Sequence, residues 1–265
     1  MRICVAGACG RMGRRILELA AAAEDVEIGG AFDVPDVAGT SLTVGQESGR
    51  AGTVTVSGNP ETEIERSDVL IDFTVAGACV GNVRAAATLG KPAVVGTTGL
   101  TEAEAAELHS FADRIPLVHA PNMSVGVNLL FKLTSEVARI LGLEYNVEIV
   151  EVHHNQKQDS PSGTAVRLAE RAAEALGLEY GQDVVHGRSG MVGKRPAGEI
   201  GMHAVRGGAV TGDHTVHFIG AGERLELTHR AMSRDTFAQG ALRAARFTID
   251  AKPGLYDMQD VLGLR

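Results

Sequence analysis

The chain has 265 residues and carries 25 Lys+Arg against 33 Asp+Glu, a formal net charge of −8 with neutral His. Apolar residues make up 44%, which suffices for one or two domains at roughly 100–200 residues each. The acidic balance argues against a nucleic-acid or anionic-membrane binder, since both need a basic surface, but it leaves room for a local basic pocket for a small anion.

The first third alternates strand and helix. Arg2–Ala6 is a short apolar run that enters turn glycines. A helix follows, with Met12, Ile16, Leu19 and Ala23 spaced for one face. Val26–Phe32 reads as a second strand ending at Asp33, and Val34–Arg66, rich in Gly, Ser and Thr, reads as loops with room for one short strand. Strands return at Asp68–Phe73, Pro92–Gly96 and Ile115–Ala120, with a capping box formed by Thr101 and Glu104 between the last two. Short apolar strands alternating with helices predict a parallel sheet covered on both faces. The longest uncharged run, between Arg114 and Lys132, is broken by Pro116 and Pro121 and fails as a membrane span. The N-terminus reads as a strand, not a charged leader. Cys4, Cys9 and Cys79 are odd in number and lack C-x-x-C spacing, so reduced thiols and a cytoplasmic location are expected.

The character changes near residue 123. Ser124–Leu141 is a long helical pattern, Asn146–His153 a strand and His154–Ser160 a polar loop. A helix is predicted from Pro161 to about Leu176, with Ser160 as N-cap and Pro161 at the first helical position. Strand-like segments between Asp183 and Arg230 suggest an α+β second domain at roughly 123–234 with a mostly antiparallel sheet. The helical stretch Thr236–Ile249 could close either domain.

Gly7-Ala8-Cys9-Gly10-Arg11-Met12-Gly13 sits between the first strand and first helix, where a dinucleotide-binding turn belongs. The register is G-x-x-G-x-x-G, and by itself a plain tight turn explains it equally well. Asp33, twenty residues beyond Gly13, stands where a carboxylate accepts from ribose hydroxyls, or else it caps the turn before Pro35. The strand ends Phe73-Thr74, Gly96-Thr97-Thr98 and Ala120-Pro121-Asn122-Met123 supply small residues, hydroxyls and an amide, which suit a nicotinamide ribose or ordinary turns. Together these segments favour a nicotinamide cofactor.

The densest polar chemistry is the run from Glu148 to Thr164. It combines His153 and His154, the cation of Lys157, and a helix N-terminus at Ser162, Gly163 and Thr164. That set suits acid–base work on an anionic substrate. Adjacent histidines on a strand face opposite ways, so one of the pair belongs equally well to core or interface. No acidic or Cys partner stands at ligand spacing, so no metal is expected, and His214 and His217 carry no spacing signal.

Glu148-Ile149-Val150-Glu151, His153, Lys157, Asp159 and Pro161-Ser162-Gly163-Thr164-Ala165 resemble the signature of the 4-hydroxy-tetrahydrodipicolinate (dihydrodipicolinate) reductase family of lysine and diaminopimelate biosynthesis. The resemblance extends to Gly7–Gly13, Ile71–Thr74, Val95–Gly99, Asn122–Asn128 and Arg224–His229, nearly the whole chain. It implies a Rossmann-like parallel-sheet dinucleotide-binding domain at 1–123 and 235–265. It also implies an α+β substrate-binding and tetramerisation domain with a mixed sheet at 124–234. By the same resemblance His153 is the general acid/base and Lys157 a second acid or substrate-binding cation. His154, Lys157, Gly163 and Thr164 hold the substrate carboxylates. Gly7, Ala8, Cys9, Gly10, Arg11, Met12, Asp33, Gly96–Thr98 and Ala120–Met123 hold NADH or NADPH. The implied reaction loses the 4-hydroxyl as water, adds hydride at C4 and protonates the adjacent carbon, in a homotetramer. Domain closure would make the segments near 123–126 and 234–237 candidate hinges. Two departures stand out: Val34 where some members carry a basic residue, and Asn155-Gln156 where some carry Arg-His. Asp33 beside an uncharged Val34 predicts NADH preference with residual NADPH use. An amino-acid dehydrogenase would share the glycine loop but not the His153–Thr164 run, and a nucleotide-sensing regulator would not need the His153/Lys157 pair.

Overall fold

The computed structural model describes residues 1–265. The chain opens with β1 (Arg2–Ala6), α1 (Arg11–Ala22), β2 (Glu27–Phe32), β3 (Ser41–Val44), β4 (Gly52–Thr55) and α2 (Pro60–Glu65). It continues through β5 (Val69–Asp72), α3 (Ala76–Thr88), β6 (Ala93–Val95), α4 (Glu102–Ser110), β7 (Pro116–His119), α5 (Val125–Leu141), β8 (Asn146–His153) and α6 (Gly163–Leu176). The remainder is α7 (Tyr180–Asp183), β9 (Val184–His186), β10 (Ile200–Arg206), β11 (Asp213–Ile219), β12 (Arg224–Arg230), α8 (Asp235–Asp250), β13 (Gly254–Tyr256) and α9 (Met258–Leu262). Two compact units form: Met1–Val125 with Arg234–Arg265, and Gly126–Ser233. No helix is long and apolar enough to cross a membrane.

The first unit is built on a six-stranded sheet in the order β13-β7-β6-β5-β1-β2, with every pairing parallel. Its central strands are apolar because both faces are covered. Alternate residues of β1 feed opposite cores: Ile3 and Val5 join one cluster with α1 and α8, and Cys4 and Ala6 join another with α3 and α4. The helical stretch near the C-terminus therefore closes this unit, α8 packing on α1, β5, β6 and β7. Gly240 permits that approach, since a Cβ there would lie 1.8 Å from the Met123 carbonyl oxygen.

Two expectations for this unit need correction. The 34–66 stretch holds more than one short strand: β3 and β4 form an antiparallel hairpin, and α2 follows with Asn59 as its N-cap. Local polarity hid them, because the exposed sides of β3 and β4 need few apolar residues. The fully buried face of α1 is Gly13, Ile16, Leu17 and Ala20; of the expected Met12–Ile16–Leu19–Ala23 stripe only Ile16 is fully buried, with Met12 and Leu19 packed partly against the core. Its rotation is set by Gly13, where a Cβ would stand 2.2 Å from the Gly7 carbonyl oxygen. Only glycine lets the helix start that close to β1.

The second unit carries a five-stranded sheet in the order β12-β11-β8-β10-β9. β11 runs antiparallel to β12 and β8, while β10 runs parallel to β8 and β9. The sheet is thus evenly mixed, not mostly antiparallel, because β10 returns alongside β8 after the long α6–β9 crossover. On β8 Val147, Ile149, Glu151 and His153 are buried, and α6 packs across β8, β10 and β11. α6 begins two residues later than the Ser-Pro pair suggested. Ser162 is its N-cap, with Oγ accepting from the Ala165 N–H at 3.2 Å. Ser160 and Pro161 lie ahead of the cap, because the first satisfied helix-end donor is the one Ser162 reaches.

Candidate active site

At the carboxyl end of the parallel sheet, β1 leads into a turn whose first residue, Gly7, has φ +68°. The Gly10 N–H closes the turn on the Gly7 carbonyl at 2.9 Å, and the Ala8 N–H donates to the Phe32 carbonyl at 3.1 Å. Asp33 is fixed beside this loop. One carboxylate oxygen accepts from the Cys9 N–H at 2.8 Å and the other from the Val34 N–H at 2.8 Å. A cavity of about 640 Å³ is lined by Gly7, Cys9, Gly10, Asp33, Val34 and Thr74, among others. A pyrophosphate and ribose fit these residues: the glycines present backbone without side chains, and the carboxylate stands at the end of β2.

The other residues assigned to the cofactor, Ala8, Arg11, Met12, Gly96–Thr98 and Ala120–Met123, do not line this cavity. Ala8 is buried and Met12 half-buried in the core under α1. The Arg11 side chain lines a separate cleft with Arg14 and Arg15 against Thr43 and Glu47, not the cavity that Asp33 borders. Gly96–Thr98 leave β6, and a Cβ on Gly96 would meet the Phe73 ring at 2.2 Å. Thr98 is exposed, whereas the Thr97 hydroxyl is buried and donates to Asp72 at 2.8 Å. Ala120–Met123 follow β7. The Ala120 N–H donates to the Val95 carbonyl, and Asn122 Oδ1 accepts from the Ser124 N–H.

Sequence reasoning overlooked Asp72. Fully buried at the end of β5, it accepts from the Thr74 N–H and hydroxyl, the Asn82 amide and the Thr97 hydroxyl. It thereby ties the Thr74 and Thr97 turns together. The signal was present in Ile71-Asp72-Phe73-Thr74, since an ionisable residue in an otherwise apolar strand must be hydrogen-bonded.

In the second unit, β8 delivers His153 at its last residue. The ring is almost wholly buried, and its Nδ1 stands 2.5 Å from Oε2 of Glu151. Glu151 is fully buried and saturated. Arg206 grips both its oxygens at 2.7 and 2.8 Å, and its Oε1 also accepts from the Ser162 N–H at 3.0 Å. Burial pushes the Glu151 carboxyl up, but the bonds from Arg206, His153 and Ser162 outweigh it and leave the group below its ordinary value. For His153 burial dominates and lowers the pKa. The Glu151 carboxylate opposes that shift, while the Lys157 and Arg206 cations reinforce it.

Lys157 follows in the loop, with Nζ donating to Asp159 at 2.8 Å. Gly163 and Thr164 open α6 directly after the Ser162 cap. The His154 backbone N–H donates to the Val210 carbonyl at 2.8 Å, and the buried Nδ1 of its ring has no hydrogen-bond partner. The structure thus brings His153 and the start of α6 onto one carboxylate, with the charge of Lys157 acting on the His153 ring.

Arg206, Ser162 and His214 were not foreseen in these roles. His214 Nε2 lies 3.0 Å from Ser162 Oγ, and its ring meets His153 edge-on at 5.1 Å between centroids. Burial pushes it down to about 3, so it stays neutral. Its reading as structural misses this contact. Arg206 and His214 arrive by strand register, opposite His153 and Glu151 respectively. Local spacing cannot carry that information.

A family profile described as "Dihydrodipicolinate reductase, N-terminus" matches residues 1–123, and its companion, "Dihydrodipicolinate reductase, C-terminus", matches residues 126–262. A protein from Citrifermentans bemidjiense named 4-hydroxy-tetrahydrodipicolinate reductase is 49% identical, with all of both chains covered. One of the same name from Magnetococcus marinus is 47% identical over the whole of this chain and 99% of its own. The solved structure of a dipicolinate-bound dihydrodipicolinate reductase from Paenisporosarcina sp. TG-14 shares the fold, with a TM-score of 0.78, 24% identity and 98% of each chain covered. With both profiles matched and full-length relatives near half identity, the chain belongs to the dihydrodipicolinate reductase family.

Proposed function

We propose that this chain reduces 4-hydroxy-tetrahydrodipicolinate to tetrahydrodipicolinate with loss of water, using His153 as proton donor and NADH in preference to NADPH. Membership of the family makes it an NAD(P)H-dependent oxidoreductase of lysine and diaminopimelate biosynthesis. The observation that carries the residue assignment is His153 held by Nδ1 on buried Glu151, beside Lys157 and the first turn of α6.

Bound NAD(P)H supplies the hydride. The residues that would hold it are Gly7, Ala8, Cys9, Gly10, Arg11 and Met12, which would meet the phosphates with the loop's backbone since the Arg11 side chain faces the neighbouring cleft, Asp33 at the ribose diol, and Gly96–Thr98 with Ala120–Met123 at the nicotinamide end. Asp33 accepts hydrogen bonds from a 2′-hydroxyl and repels a 2′-phosphate, and Val34 beside it brings no compensating charge. That pair supports NADH preference.

On the substrate side, Lys157, His154 and the α6 start at Gly163 and Thr164 would bind the two carboxylates. A cation and a helix N-terminus both favour negative charge. With Nδ1 occupied by Glu151, His153 carries its transferable proton on Nε2 and delivers it to the carbon next to the reduced C4. A dicarboxylate so fixed also places that carbon for protonation.

The division of the chain into a cofactor domain at 1–123 and 235–265 and a substrate domain at 124–234 belongs to the same reading. So do a cytoplasmic location and a homotetramer assembled through the face of the mixed sheet that carries the exposed Val205 and Ile219. The test is NADH oxidation by the purified protein with freshly prepared 4-hydroxy-tetrahydrodipicolinate. Stoichiometric loss of NADH absorbance with formation of tetrahydrodipicolinate is expected at roughly 1–10³ s⁻¹. NADH binding without substrate-dependent oxidation would leave a nucleotide-sensing protein instead.

A further inference from the structure

The Glu151 carboxylate joins parts of the site that are separate in sequence. It touches the His153 ring, the Ser162 N–H at the α6 cap and both terminal nitrogens of Arg206, all within 3.0 Å. Arg206 in turn donates to the Asp159 carbonyl at 2.9 Å, in the loop that carries Lys157. The proton donor, the helix start and the lysine loop are therefore registered to one another through a single buried ion pair.

We propose that Glu151 and Arg206 are positioning residues for the reduction: Arg206 locks Glu151, and Glu151 holds His153 with Nε2 as its proton-bearing atom while setting the α6 cap and the lysine loop around it. This inference rests on His153 being the proton donor. A carboxylate accepting from Nδ1–H selects the ring tautomer and stabilises the imidazolium that precedes proton delivery. The bidentate fork matters as much as the charge, because a lysine at 206 would offer one point donor where Arg206 fills both carboxylate oxygens. Gly212 completes the arrangement, since a Cβ there would stand 2.9 Å from His153 Nε2 and obstruct that atom.

The charged and titratable groups facing His153 are Glu151 on its own strand, Lys157 in the loop, Arg206 on β10 and His214 on β11. Replacing Glu151 by Gln removes the one group among them that favours the imidazolium and leaves both cations in place. If His153 must be protonated to react, activity is lost as pH rises through its pKa, and this limb should move to lower pH in the variant.

The experiment measures kcat and KM for substrate and NADH against pH in the full-length wild type, Glu151→Gln and Arg206→Lys. Glu151→Gln should lower kcat by about 10²-fold, shift the alkaline limb by about one pH unit or more to the acid side, and leave the KM for NADH within about twofold. Arg206→Lys, which keeps the charge, should lower kcat by about tenfold without moving the limb. Unchanged limb and kcat in Glu151→Gln would overturn the inference while leaving the reaction intact. Should Glu151→Gln fail to fold, wild-type kcat in Arg206→Lys would overturn it equally. A wild type that does not oxidise NADH with this substrate refutes the reaction assignment, a separate and distinguishable failure.

Discussion

The two polar centres of this chain are made of different materials. At the end of the parallel sheet the proposed cofactor region is backbone and small residues: Gly7 in a left-handed turn, Gly13 against the Gly7 carbonyl, and Asp33 anchored by two N–H groups. Around His153 the material is charge, with one saturated carboxylate, an arginine fork and a lysine in reach. The first has to admit a ligand backbone-close and tolerates little added volume. The second has to hold a proton at one nitrogen and tolerates little change in charge. Each should therefore break under a different kind of substitution.

The largest effects belong to the charged centre. His153→Gln and Lys157→Ala should each lower kcat by about 10²–10⁴-fold, with the NADH dissociation constant near that of wild type. Lys157→Ala should also raise the substrate KM if its ammonium seats a carboxylate, and steady-state kinetics with a fluorescence titration of NADH checks both. In the wild type the free-enzyme kcat/KM should fall as pH rises through a value below the ordinary imidazole range, because burial lowers His153 and only its protonated form donates. A profile with no limb that His153→Gln abolishes would count against His153 in the role.

Volume is the lever at the other centre. Gly13→Ala places a Cβ within 2.2 Å of the Gly7 oxygen, so α1 or the loop must shift. NADH affinity should drop by about tenfold or more and stability by about 1–3 kcal/mol, while a dicarboxylate ligand still protects the protein in a thermal shift assay. Wild-type NADH affinity in that variant would erase the contrast between the two centres.

A smaller change sharpens it. Val34 is 58% exposed and borders the cavity beside Asp33, so Val34→Arg should lower the NADPH KM by about tenfold with little effect on NADH. Comparing kcat/KM for both cofactors decides this, and a wild type that strongly prefers NADPH would show that the arginines of α1 dominate. The least effect is expected away from both centres. Thr101→Ala removes the α4 capping box at a cost of about 1 kcal/mol in chemical denaturation and leaves kcat unchanged.

The same contrast explains what could be read from the sequence. The glycine turn, the limits of β8 and the Thr101–Glu104 box are local patterns, and the chain adopts them where they are written. The parallel sheet was legible because β5 and β6 are apolar on both faces. Arg206 and His214 were not, since each meets β8 only through pairing over 50 or more residues, with partners fixed by register. The α6 start misled because Ser160-Pro161 and Ser162 both carry N-cap chemistry, and Ser162 wins by being held at its N–H by Glu151 and at Oγ by Ala165. The face of α1 misled because a glycine contact, invisible to hydrophobic periodicity, sets the helix rotation.

The division of labour itself is tested most directly by one paired measurement on the His153→Gln/Lys157→Ala double variant: its NADH dissociation constant and its NADH oxidation with 4-hydroxy-tetrahydrodipicolinate. The account predicts NADH binding within about twofold of wild type and turnover reduced by at least about 10³-fold. Wild-type turnover in the double variant would contradict it.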